Sequence, residues 1–189
     1  MLRAMQPTTD MYEVLDEHGH KTGQILDRPT IHNQQLWHET VNVWIINSQG
    51  ELLMQLRAPN VEISPDVWDV TVGTHLRPNE APDEAALRAL KNTFALEATT
   101  DELRHLFNLQ SANPMPENHK HNVFEHVFLL QADPDITKFA YDKAKIADLA
   151  WVPLNKLMME IGNAETKDHY FPRSTNYYPH LFEAFQSWM

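Results

Sequence analysis

The spacing of apolar residues divides the 189-residue chain into a series of short elements. Thr40 to Ile46 (TVNVWII) is β-branched and aromatic, the turn Asn47-Ser48-Gln49-Gly50 follows, and ELLMQLR resumes the pattern, which predicts a hairpin. Upstream, MYEVLDEHGHKTGQIL reads as two short strands around Glu17-His18-Gly19-His20. A loop from Ala58 to Pro65 leads into VWDVTV, a short strand ending at Gly73. From about Pro82 to Phe94 the period becomes helical: Leu87, Leu90 and Phe94 form a stripe, Pro82 suits the first helical position, and Asp83 and Glu84 favour the positive end of the dipole. Leu103 to Leu109 carries no decisive period. Val123 to Gln131 (VFEHVFLLQ) predicts a strand, Ala150 to Pro153 a short strand, Leu154 to Ile161 a helix, and Tyr178 to Met189 an amphipathic helix packing Leu181, Phe182, Phe185 and Trp188.

Strands flanking a central helix predict a mixed α/β (α+β) fold in one domain over residues 1–189. About 1–35 would be an N-terminal hairpin and lead-in, and about 165–189 a C-terminal helical extension. A hydrophobic content of 42% supports a core, and the formal net charge of −11 argues against nucleic acid or anionic membranes as partners. No apolar run is long enough to span a bilayer, and MLRAMQPTTD lacks the apolar stretch of a signal peptide, so a cytoplasmic location is expected. With no cysteine, disulfides, thiolate metal sites and thiol catalysis are excluded.

The stretch Gly73 to Leu96, GTHLRPNEAPDEAALRALKNTFAL, resembles the Nudix box, in which a Gly, a Glu and an Arg-Glu-apolar-x-Glu-Glu-x-Gly-apolar run are set at fixed spacing. With Glu80 on the first Glu, Arg88 falls on the Arg and Leu90 and Leu96 on the apolar positions. Thr74 and Ala95 stand where the pattern has Gly, and Ala89, Asn92 and Thr93 where it has three Glu. Those three positions share one helical face, where hard divalent cations would need carboxylates. The resemblance extends from about Met11 to about Leu157 and implies a Nudix fold, a mixed sheet sandwiched between helices. It also implies a divalent metal (Mg, Mn or Zn) and a small-molecule diphosphate substrate or ligand.

EVLDEHGHKTGQ, a His-containing segment and a Trp-bearing strand are similar to the isopentenyl-diphosphate isomerase branch of that superfamily. The similarity implies a metal held by His32, His38, His75, Glu80 and Glu125, with Glu80 and Glu125 as the catalytic carboxylates, Glu125 at the second of two paired strand Glu and Val123 at the position of its partner. That branch carries a catalytic Cys where this chain has Gly73, so isomerisation loses half of its proton-transfer machinery. Arg57 and Trp68 are expected to face the substrate, and Arg88 to fix the loop before the helix. His119-Lys120-His121 and His126 read as a solvated loop running into a strand. Segment Lys167 to Tyr178 is either a lid or plain packing, and the C-terminal helix either a homodimer contact or part of its own core. Two functions follow: a divergent Nudix hydrolase of a small diphosphate metabolite, or a catalytically silent fold that binds such a ligand or a protein partner.

Overall fold

The computed structural model describes residues 10–114 and 120–186. In chain order the elements are β1 (Met11–Leu15), β2 (Lys21–Asp27), α1 (Arg28–Asn33), β3 (His38–Ile46), β4 (Glu51–Arg57), β5 (Trp68–Asp69), β6 (Val72–His75), α2 (Pro82–Phe94), β7 (Leu103–Pro114), β8 (Lys120–Gln131), β9 (Ile146–Pro153), α3 (Leu154–Ile161) and α4 (Tyr177–Gln186). β1 and β2 pair with each other, and the remaining strands form one mixed sheet in the order β5-β4-β3-β8-β7, with β6 joined to β3 and β9 to β4.

Alternation along β3 builds the two layers. Val41, Val43 and Ile45 pack with Ala85, Ala86, Leu90 and Phe94 of α2. Trp44 and Ile46 point the other way and meet Leu157 of α3 and Tyr177, Leu181 and Phe185 of α4. The sheet therefore lies between helices, as the sequence leads one to expect. Helix α4 buries its apolar stripe on this core. Tyr12, Val14 and Ile31 form a separate small core beneath β1, β2 and α1. Among the described residues no helix is long and apolar enough to cross a membrane.

Several elements differ from the sequence reading. VWDVTV is two strands, because β5 pairs with β4 whereas β6 pairs with β3. Leu103 to Leu109 is the first part of β7, and a register shift between His105 and Phe107 breaks the alternation that would have marked it. Helix α1 is additional: the Asp27 carboxylate accepts the Thr30 N–H at 2.8 Å and Pro29 lies in the first turn. Trp188 and His119 lie outside the described residues. Helix α2 ends on Ala95 at φ +54°, the left-handed conformation that favours glycine.

One edge of β3 pairs in parallel with β8 from His38 to Ile46. The other edge is shared. Thr40 to Val43 pair with β6, and only Ile45 and Ile46 pair with β4. Where β4 leaves, the buried Thr71 hydroxyl accepts the Ile45 N–H at 3.0 Å and donates to the Leu53 carbonyl. That one side chain satisfies two backbone groups the ladder has lost. A cavity of about 610 Å³ opens beside this split, with Asn42, Gln55, Val70 and Gly73 in its wall.

Candidate functional site

Register places three imidazoles on one face of the sheet. In the β3–β6 ladder Thr40 pairs with His75, and in the β3–β8 ladder His38 pairs with Val123. Side chains two residues apart along a strand share a face, so His38, His75 and His121 point the same way. His32 arrives from α1, and its Nε2 stands 3.2 Å from that of His75. One ligating atom from each of the four rings lies within 4.8 Å of the others. His38 and His75 stack with centroids 5.0 Å apart, and Tyr12 stacks on His75 at 4.7 Å.

The electrostatics keep three of these rings, His38, His75 and His121, neutral. Burial brings the His38 imidazole down to about 4. Burial, then the neighbouring imidazoles of His38 and His32, brings His121 down to about 3. His75 is lowered well below the usual value, first by burial and then by the three other rings, with the Arg28 cation adding to the effect. Neutral imidazole is the form that binds a metal. His38 supplies a further sign. Its Nδ1 lies 2.9 Å from the Leu36 carbonyl, which fixes the ring with Nδ1–H as donor, and its buried Nε2 has no hydrogen-bond partner. A buried nitrogen without a partner is costly unless something fills the position. The residues present therefore fit a metal ion.

The carboxylates expected beside them are engaged elsewhere. Arg88 grips Glu80 with both groups, Nε to Oε1 at 2.5 Å and Nη2 to Oε2 at 2.7 Å, and also donates to the His75 carbonyl at 2.9 Å. Burial opposes ionisation of Glu80, but the Arg88 and Arg77 hydrogen bonds outweigh it and hold the carboxyl below its ordinary value. The structure thus ties Glu80 to the loop before α2 and does not bring it into the imidazole cluster. Glu125 is likewise outside the cluster. It is buried, accepts from Asn42 Nδ2 at 2.8 Å and Ser111 Oγ at 2.7 Å, and faces Arg173. Ala89, Asn92 and Thr93 line the cavity and offer it no carboxylate.

Arg57 lines the cavity but is held by the Ile63 and Ser64 carbonyls and by Asp69. Trp68 does not line it. Trp68 packs on the core beneath α4, and its carbonyl accepts the Phe171 N–H at 2.8 Å. Segment Lys167 to Tyr178 accordingly packs along β5, where Arg173 enters the interior. Its guanidinium donates to Asp69 and sits between the Phe171 and Tyr177 rings, 4.8 Å from each centroid.

His121 corrects the reading of His119 to His121 as a solvated loop, since it is a partly buried strand residue in the cluster. The signal lay in parity: His121, Val123 and Glu125 alternate on one side of β8. Arg173, Asn42 and Ser111 left no comparable trace, because their roles come from long-range pairing. His126 belongs to a different network, with Nε2 2.9 Å from Glu39 and Nδ1 3.0 Å from Asn108.

Comparison with known proteins identifies the family. The chain is 25% identical over 152 residues to isopentenyl-diphosphate Delta-isomerase 2 of Aromatoleum aromaticum, covering 80% of this chain and 77% of that protein. An uncharacterized Nudix hydrolase of Clostridium acetobutylicum is 20% identical over 157 residues, covering 82% and 75%. The crystal structure of DR0079 from Deinococcus radiodurans superposes with a TM-score of 0.63 at 22% identity, covering 81% of this chain and 89% of that one. Residues 36–173 match the NUDIX domain model, which is well over half of the chain. This chain belongs to the NUDIX domain family.

Proposed function

We infer that the protein is a divergent Nudix-family hydrolase that acts on a small diphosphate-containing metabolite with the help of a divalent cation held in the histidine cluster. The observation that carries this reading is the buried, unpartnered Nε2 of His38 within a group of rings of which burial keeps His38, His75 and His121 neutral. A divalent cation bound there supplies Lewis acidity toward a phosphoryl oxygen or a water. The protein's own groups do the rest. Arg28 and Lys145 bring positive charge to the cavity wall, which the acidic Asp10 and Glu62 also line, so the ion is what favours an anionic ligand there. Gly73 leaves the wall beside Asn42 open, and a Cβ there would come within 3.1 Å of Asn42 Oδ1. The same glycine supplies no acid or base, which argues against the isomerisation for which the Aromatoleum relative is named.

A second reading has its own support. The face formed by Ala89, Asn92 and Thr93 is empty of carboxylates, which favours a silent protein that binds a diphosphate ligand without cleaving it. One experiment separates the two. Phosphate or nucleotide release is followed from nucleoside, sugar and prenyl diphosphates with Zn²⁺, Mn²⁺ or Mg²⁺ added, and ligand binding is followed in parallel by calorimetry. Turnover that His32→Ala abolishes supports the hydrolase. Saturable binding with no turnover assigns the silent role, and neither binding nor turnover rejects the diphosphate reading.

A further inference from the structure

Every donor in the cluster is an imidazole. The carboxylates that the sequence offers beside it are committed, Glu80 to Arg88, Glu125 to Asn42 and Ser111, and Glu39 to His126. The cluster also has the dimensions of a ligand set. His32 and His75 present Nε2 atoms 3.2 Å apart, and all four donors fall within 4.8 Å. Tetrahedral ligands at a Zn–N bond of about 2.0–2.1 Å sit roughly 3.4 Å apart, so a modest contraction suffices.

His121 completes the set from the cavity side. It lies edge-on to His32 and His38, with centroids 5.2 Å away in each case, and lines the cavity together with His32 and His75. His38 stands behind, its Nδ1 fixed by the Leu36 carbonyl so that Nε2 is the free donor. Donor chemistry decides which ion such a site takes. Mg²⁺ requires oxygen ligands and gives up water reluctantly, whereas neutral nitrogen donors suit the later first-row metals.

We propose that His32, His38, His75 and His121 bind one Zn²⁺, Co²⁺ or Ni²⁺ ion in an all-imidazole site that does not accept Mg²⁺, with His121 as the fourth ligand on the cavity side. This rests on reading the cluster as a metal centre and adds the metal class and the fourth ligand. With no carboxylate in the set, the ion keeps its full double charge, and an anionic group of the ligand neutralises it by expanding the four-imidazole set to five-coordinate.

The test loads Co²⁺ into the full-length chain after chelator dialysis. Stoichiometry is read by elemental analysis and coordination by visible absorption. One Co²⁺ per chain is expected, displaced by Zn²⁺ and not by millimolar Mg²⁺. His121→Gly should weaken binding at least about 100-fold and change the ligand-field bands, and added imidazole should restore them. His105→Ala, an exposed histidine outside the cluster, should leave both unchanged. Unaltered affinity and spectrum in His121→Gly would overturn the fourth ligand. Displacement by Mg²⁺ would overturn the selectivity, and no binding by a folded chain would overturn the metal centre itself. Normal metal loading without binding or turnover of any diphosphate sinks only the proposed function.

Discussion

Arg173→Met tests whether the inner wall of the cavity is held by charge. The Arg173, Asp69 and Glu125 side chains expose only 9%, 7% and 6% of their surface. The guanidinium joins Asp69 on β5 to Glu125 on β8 and Asn42 on β3. Removing one partner from a buried ion pair costs about 3–5 kcal/mol, because the remaining charge is left uncompensated. Here the loss is moderated. Asp69 keeps Arg57 at 3.3 Å, and Glu125 keeps Asn42 and Ser111. Methionine also fills much of the vacated volume between Phe171 and Tyr177. The lower end of the range, about 3 kcal/mol, is therefore expected. For a chain of this size it corresponds to a fall in Tm of about 6–12 °C. Urea unfolding followed by tryptophan fluorescence measures it, with metal-free protein used throughout. Glu125→Gln in the same chain should recover at least about 1 kcal/mol, since the uncompensated charge is then gone. A loss below about 1 kcal/mol in Arg173→Met, or no recovery in the double variant, would refute the argument.

Three further outcomes are expected. The metal-free protein should lose stability as the pH falls from 6.5 toward 4: His38 and His121, lowered to about 4 and about 3, stay neutral in the fold while the unfolded chain takes up protons. Each contributes a slope approaching about 1.4 kcal/mol per pH unit, His75 acts in the same direction, and a flat stability profile between pH 6.5 and 4.5 contradicts the burial of these rings. Ala95→Gly should stabilise the protein by about 0.5–1 kcal/mol by relieving the left-handed residue at φ +54°, and unchanged thermal unfolding would contradict that strain. Thr71→Val should cost about 2–4 kcal/mol, since it strips the Ile45 N–H and the Leu53 carbonyl of their buried partner, and a loss under about 1 kcal/mol in urea unfolding would show that the hydroxyl is dispensable.

The sequence made the layers legible where period and burial agree. The Thr40 to Ile46 strand and the Pro82 to Phe94 helix present clean apolar faces, and both appear with nearly those bounds. β7 was illegible because its bulge interrupts the alternation, and β5 and β6 merged because their change of partner leaves no mark in composition. His32, His38 and His75 stood out beside a motif, and the fold gathers them. His121 required the register of β8, and the binding of Glu80 and Glu125 by Arg88 and Asn42 is tertiary information that spacing does not carry.

The division of β3 between two neighbours has a mechanical consequence. β4, β5 and β9 make one leaf, while β3, β6, β7 and β8 make another. Among the described residues their shared ladder is the pairing of Ile45 and Ile46 with Leu53 and Leu52, extended by the Thr71 hydroxyl. Arg173 fastens the leaves beside the cavity, joining Asp69 to Asn42 and Glu125. The molecule is thus built like a clasp, with a short spine at Thr71 and a latch at Arg173. Because Ile45 and Leu53 share one apolar core and Trp44 and Leu52 the other, packing as well as strand pairing holds the leaves together across that seam.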